Sequence, residues 1–226
     1  CFFGIDMIPT GEKDPYALRR QAIAILRILV EGNINLDLKI LFAESLKNYS
    51  SNIKDKTSDL ISFCLERLKP LYCFNNTELF TSVAILGITN PHDFVNRCRA
   101  VEHFKTMPEA ASLAAANKRV HNILEKNYAS LNKAGNAIIN ETLFATEQEI
   151  KLFTALKNKQ TEIIPFIKNS DYSKTLQTLA TLQQPIDDFF TNVMVMVEDE
   201  KIRNNRLNLL QQLRNLFLQV ADISVL

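Results

Sequence analysis

A long amphipathic pattern after residue 200 constrains the fold more than any other feature of the sequence. On a helical wheel of about 100° per residue, one broad face consists of Leu209, Leu210, Leu213, Leu216, Phe217 and Val220. The opposite face is polar but uncharged, and consists of Asn204, Asn208, Gln211, Gln212, Asn215 and Gln219. The pattern predicts a long helix that buries one face, so the chain must supply further helices to cover it.

Three arginines, Arg203, Arg206 and Arg214, fall inside or beside the apolar arc of this helix. A guanidinium on an apolar face requires a partner, because an unpaired buried charge is costly. One alternative is internal pairing with a carboxylate of Asp187, Asp188, Asp199 or Asp222. The other is a contact between at least one arginine and a nucleic-acid phosphate, so we retain all three as candidate RNA-binding residues.

Local signals elsewhere predict further helices. Asp14 followed by a proline is expected to begin the first helix, and Thr146 with Glu149 has the spacing of a capping box. Pro70 and Pro165 are each expected to bend or end the helix in which they lie. Because the chain has only five glycines and seven prolines and 46% hydrophobic residues, we predict an all-α helical bundle.

The overall charge limits how the chain can bind polyanions. Its net charge is only +1, so any nucleic-acid site must be a local patch. No apolar run reaches the length of a transmembrane helix. The four cysteines, Cys1, Cys64, Cys73 and Cys98, lack the spacing of a zinc site, and we expect free thiols in a reducing, cytoplasmic environment.

The best local patch lies on the predicted helix after Pro108. Lys118, Arg119, Asn122 and Lys126 share one face of this helix, with the small Ala115 among them. Basic residues around a small side chain allow a nucleic-acid backbone to approach closely. A solvated helix face has a similar composition, so both interpretations remain open for these residues.

Catalytic patterns are not found in the sequence. There is no glycine-rich phosphate loop, no HExxH or GxSxG motif, and no credible pairing of cysteine with histidine. His92-Asp93 is the one histidine–aspartate dipeptide, but an HD phosphohydrolase needs a spaced set of such ligands to hold its metal. We expect no catalytic residue, metal or cofactor in this segment.

Several long blocks of the sequence carry a family resemblance. In chain order they are PTGEKDPYALRRQA at 9–22, NPHDFVNRCRAVEHF at 90–104, AAANKRVHNIL at 114–124, and VMVMVEDEKIRNNRLNLLQQLRNLFLQVADISVL at 193–226. The chain therefore resembles the C-terminal portion of the beta subunit of bacterial, two-subunit glycyl-tRNA synthetases. The resemblance extends over all 226 residues and implies that the chain is a fragment of a longer subunit.

The resemblance also implies an organisation and a role. Residues 1–105 are expected to form the end of an HD-like helical domain, and 106–226 a DALR-like anticodon-binding domain similar to that of arginyl-tRNA synthetase. This segment is then expected to bind the anticodon arm of glycine tRNA. Aminoacylation, with ATP and magnesium, is expected on a separate alpha subunit, in a tetramer of two alpha and two beta subunits. The alternative is a helical scaffold that contacts other subunits without reading RNA.

Overall fold

The fold is known from a computed structural model that describes residues 2–49, 53–73, 76–127 and 139–226. The chain divides into two compact units, Cys1–Arg99 and Ala100–Leu226. The described residues form helices and no β-strand, apart from one isolated bridge between Thr10 and Lys13. The predicted all-α fold is thereby confirmed, whereas the domain boundary after residue 105 stays a prediction.

The first unit contains five α-helices in its described part and the start of a sixth. They are α1 (Leu18–Glu31), α2 (Leu38–Leu46), α3 (Thr57–Leu65), α4 (Leu68–Tyr72), α5 (Thr77–Ala84) and α6 (Pro91–Phe104), which runs through the division between the units. Leu26, Leu38 and Leu68 are fully buried in this unit. Cys64, Cys73 and Cys98 are buried free thiols, while Cys1 lies outside the described residues.

The first helix begins later than the sequence predicted. It starts at Leu18 rather than at Asp14, because Ala17 adopts a left-handed conformation with φ of 52°. The Asp14 carboxylate nevertheless accepts hydrogen bonds from the backbone N–H groups of Leu18 and Arg19, at 2.8 and 3.0 Å. Asp14 therefore caps the helix from four residues upstream, across a short turn that the residue pattern did not reveal.

The two internal prolines separate neighbouring helices as predicted. Pro70 is the third residue of α4, and the break from α3 falls at Glu66 and Arg67. A proline ring collides with the backbone carbonyl four residues earlier, which here belongs to Glu66, so the helix cannot continue through that residue. The missing N–H of Pro70 costs nothing, because the N–H groups of a first helical turn have no partner within the helix. Pro165 acts in the same way, at the second position of a short helix after a break at Ile163.

The second unit continues α6 with six more α-helices in the described residues. They are α7 (Ala110–Lys126), α8 (Glu147–Glu162), α9 (Ile164–Lys168), α10 (Tyr172–Ala180), α11 (Gln183–Asn192) and α12 (Glu200–Leu218). The predicted capping box is present at the start of α8, where Glu149 accepts from the Thr146 N–H at 2.9 Å. A short 3₁₀ helix, Ile223–Val225, follows α12 and packs against α7.

The helix predicted from the amphipathic pattern is α12, and its apolar face lies in the core. Leu209, Leu210 and Leu213 have no exposed surface. The polar side of α12 is also partly buried, since Asn208 of the amide face and Asn205 beside that face are both buried. Asn205 donates to the Asn140 carbonyl at 3.1 Å and accepts from the Asn140 N–H at 2.8 Å. Part of α12 is therefore buried on several sides.

Candidate nucleic-acid interface

The outward face of α7 brings the predicted patch together. Lys118, Arg119, Asn122 and Lys126 are all exposed, whereas Val120, on the inward face, is fully buried. This division follows from the helical repeat, which places residues three and four apart on the same side. The four exposed residues, together with Ala115 and Ile123, line an open groove of about 480 Å³.

A second groove adjoins the first along α7. Its volume is about 450 Å³, and it shares Ala115 and Lys118 with the first groove. Small side chains make its floor, namely Ala110, Ala111, Ala114 and Ala115, and Lys105 and Leu226 complete the lining. No acidic side chain lines either groove in the described structure. The two grooves therefore form a continuous basic surface, which we call the α7 surface.

One arginine of the α7 surface rests on an aromatic ring. The guanidinium carbon of Arg119 lies 4.3 Å from the ring centroid of Phe190, a half-buried residue of α11. At this distance the ring's negative face attracts the cation. Phe190 and Lys105 were missed by sequence reasoning, since both lie outside α7. The one available signal was the pair Phe189-Phe190, because adjacent helix positions are about 100° apart and do not both point into one core.

Arg206, by contrast, is occupied inside the second unit. Its Nε donates to Glu149 Oε1 at 2.8 Å, its Nη2 to Glu149 Oε2 at 3.2 Å, and its Nη1 to the Met194 carbonyl at 2.7 Å. The Arg206 side chain is only 6% exposed and the Glu149 side chain only 1%. Burial raises the pKa of the Glu149 carboxyl, but hydrogen bonds from Arg206 and Thr146 outweigh burial and hold that pKa below its ordinary value.

Arg214 also has an internal partner. It donates from Nη2 to Asp222 Oδ2 at 2.6 Å, and Ser224 donates its hydroxyl to Asp222 Oδ1 at 2.6 Å. Burial raises the pKa of Asp222, but the hydrogen bonds from Ser224 and Arg214 prevail and lower it overall. Asp222 was among the four carboxylates that the sequence suggested as internal partners.

The third arginine of α12, Arg203, pairs with carbonyls rather than a carboxylate. Its Nη1 donates to the carbonyl oxygens of Val197 and Glu198, at 2.9 and 3.2 Å. The structure therefore favours internal partners for all three arginines of α12. The carboxylate of Asp199, one of the suggested partners, instead caps α12 by accepting from the Lys201 N–H at 2.8 Å. Arg206 is buried, whereas Arg203 and Arg214 are only half-buried, and RNA binding by these three arginines stays a prediction. The α7 surface is the stronger candidate site, because its basic side chains are exposed.

Two family models match the sequence in consecutive parts. Residues 1–86 match the family described as glycyl-tRNA synthetase beta subunit, and residues 113–223 match the DALR anticodon binding domain. The second match includes most of α7 and all of α12.

Curated relatives carry the same family description. The chain is 46% identical to the glycine–tRNA ligase beta subunit of Edwardsiella ictaluri over 228 residues, and 44% identical to that of Coxiella burnetii over 227 residues. The chain belongs to the glycyl-tRNA synthetase beta-subunit family. This confirms the resemblance found in the sequence blocks. Each alignment includes 99% of this chain, which spans 32% of the length of each of these relatives and matches their C-terminal part.

The possibility of a metal site can be examined for the residues that the structure describes. Among the described residues, no group of three or more His, Cys, Asp or Glu side chains is placed to hold a metal ion. His92 Nε2 lies 2.9 Å from the Asn96 amide, and Asp93 accepts from Arg97 at 2.8 Å within the same helix. None of the described helices combines the length and apolar character needed to cross a membrane.

Proposed function

We propose that the second unit binds the anticodon arm of a glycine tRNA through the α7 surface. The observation that carries this proposal is the grouping of Lys118, Arg119, Asn122 and Lys126 along one groove, in the part of the chain that matches an anticodon-binding domain. Because the net charge of the chain is only +1, this local concentration of basic side chains is needed to attract RNA.

Each side chain has a chemical role in this proposal. Lys118 and Lys126 supply point charges for backbone phosphates. Asn122 offers an amide that can both donate to and accept from the pairing edge of an unpaired base. The alanine-lined floor beside Lys118 leaves room for the sugar–phosphate backbone to lie close to the helix.

Binding by this segment would serve aminoacylation in another part of the enzyme. Binding of the anticodon arm positions the tRNA so that its acceptor end reaches an alpha subunit, where ATP and magnesium support the attachment of glycine. The segment itself is then non-catalytic and takes part in a tetramer of two alpha and two beta subunits in the cytoplasm. Membership of a synthetase-subunit family supports this division of labour.

A subunit-contact scaffold is the second candidate. It is favoured by exposed apolar side chains of the second unit, since Met194 is 73% exposed and Ile164 is 60% exposed. A scaffold does not require RNA binding by the α7 surface, so the two candidates are separated by one experiment.

The experiment measures binding of the complete gene product to a glycine tRNA transcript across a salt series. We expect Lys118→Ala and Lys126→Ala each to weaken binding and to reduce the magnitude of the slope of log affinity against log salt by about 0.7–0.9 per lost phosphate contact. Lys168→Ala is the matched control, because this exposed lysine at the end of α9 lies outside both grooves.

A second transcript tests whether the anticodon is read. Glycine anticodons carry cytosine at their second and third letters, and replacing each is expected to cost about 1–3 kcal/mol of binding free energy. If Lys118→Ala and Lys126→Ala bind both transcripts as tightly as the control does, the α7 surface is not the RNA site.

A further inference from the structure

Arg119 differs from the other arginines of the second unit in how it is held. Its guanidinium lies over the Phe190 ring and, within the described structure, takes part in neither a hydrogen bond nor an ion pair. Arg203, Arg206 and Arg214 all donate to carbonyls or carboxylates. The donors of Arg119 therefore remain available for a ligand, although the side chain is in contact with a ring.

The ring beneath Arg119 is itself connected to the core. Phe190 meets Phe189 edge to face, with ring centroids 5.5 Å apart and an interplanar angle of 78°. Phe189 has no exposed surface. A fully buried ring thus supports a half-buried ring, which supports an exposed guanidinium. This arrangement restricts a flexible side chain before any ligand binds, which lowers the entropy that binding must overcome.

A planar guanidinium held in this way suits one kind of ligand group. Phosphate binding needs charge, which the neighbouring lysines already provide, whereas stacking needs a flat surface that lysine does not have. Unpaired RNA bases stack on aromatic rings and on arginine planes. Asn122, three residues further along α7, is the neighbour of Arg119 on the same helix face and in the same groove.

We propose that Arg119, supported by Phe190, forms a stacking platform for one unpaired base of the bound RNA. This inference rests on the proposed function and adds to it a specific contact: the base lies on the guanidinium, its edge faces the Asn122 amide, and the flanking phosphates meet Lys118 and Lys126. Phe190 is a positioning residue, because it acts through Arg119.

The test uses the complete gene product and glycine tRNA transcripts, each with an abasic site at one anticodon-loop position. Arg119→Lys keeps the charge but removes the plane, and Phe190→Leu keeps an apolar side chain but removes the ring. Both variants are expected to bind the intact transcript about 5- to 150-fold more weakly, the range measured for loss of one stacked base. For the abasic transcript that lacks the stacked base, the variants and the unmodified protein should bind equally.

Two results would overturn the platform. One is unchanged binding of the intact transcript by Arg119→Lys. The other is a loss of affinity in Arg119→Lys, relative to the unmodified protein, that is equally large on every abasic transcript. That result indicates a contact with the RNA backbone rather than with one base. Lys118→Ala separates this failure from failure of the proposed function: if it weakens binding while Arg119→Lys does not, only the platform is wrong. If neither weakens binding, both proposals are wrong.

Discussion

Replacement of Arg206 by methionine tests whether this arginine serves the interior or the RNA. In the native structure three of its nitrogens donate hydrogen bonds, two to Glu149 and one to the Met194 carbonyl. Methionine keeps most of the apolar stem but leaves the Glu149 carboxylate buried without a counter-charge. Removing one partner of a buried ion pair costs about 3–5 kcal/mol of unfolding free energy.

The geometry indicates the lower end of that range. Glu149 retains the N–H groups of Ala145 and Thr146, which donate to its Oε2 at 3.0 and 2.9 Å. We therefore expect Arg206→Met to destabilise the protein by about 3 kcal/mol. At about 2–4 °C per kcal/mol for a chain of this length, the melting temperature should fall by about 6–12 °C. The double variant Glu149→Leu/Arg206→Met, which has no buried charge at this site, should be less destabilised than Arg206→Met alone.

The stability difference should also depend on pH. Because the folded-state pKa of Glu149 lies below the ordinary glutamate value of 4.5, its ionised form contributes stability above that value, and the contribution is lost as pH falls through the folded-state pKa. In Arg206→Met the buried carboxyl takes up a proton at higher pH, which relieves the unpaired charge. The difference in unfolding free energy between Arg206→Met and the native protein should therefore become smaller as pH falls from 7 towards 4.

Urea unfolding at several pH values, followed by tRNA binding under folding conditions, completes the test. Two results would contradict an internal role for Arg206. One is an unfolding free energy of Arg206→Met that lies within about 1 kcal/mol of the native value at pH 7. The other is a difference in unfolding free energy that does not change with pH. Folded Arg206→Met should bind a glycine tRNA transcript as the native protein does. A loss of affinity at unchanged stability would instead assign Arg206 to the RNA.

Three smaller predictions concern the same unit. Asp222→Asn removes the charge opposite Arg214 and should lower the unfolding free energy by about 3 kcal/mol; thermal unfolding indistinguishable from native would contradict the assigned ion pair. Thr146→Ala removes the cap of α8 and should cost about 1 kcal/mol, with Thr146→Ser recovering most of it; equal stability of the two variants would speak against the capping box. Lys118→Ala should change unfolding free energy by less than about 0.5 kcal/mol, so a large change would show that this exposed residue has a structural role.

Helices and their faces were predictable from the sequence because they depend on neighbours along the chain. The spacing of apolar residues in α12, the capping box at Thr146 and the basic face of α7 all follow from local geometry. The start of α1 was not predictable from the sequence, because the left-handed conformation of Ala17 leaves no signal in the composition. The resemblance contributed the family, which spacing alone does not provide.

Partners distant in sequence were the part that could not be predicted. Glu149 lies 57 positions from Arg206 and was already explained as a helix cap, so nothing indicated that it also binds a guanidinium. Phe190 lies on a different helix from Arg119, and only folding brings them together. Asn208 was placed on the polar face of α12, but the packing around this helix buries it.

The two faces of α7 have an evolutionary consequence. Val120 and its inward neighbours are buried and hold the helix in the core, while Lys118, Arg119 and Asn122 lie on the exposed face. Substitutions on the outward face therefore change the surface offered to a ligand with little effect on the fold. Descendants of such a domain are free to diverge in what they recognise while inheriting the same architecture.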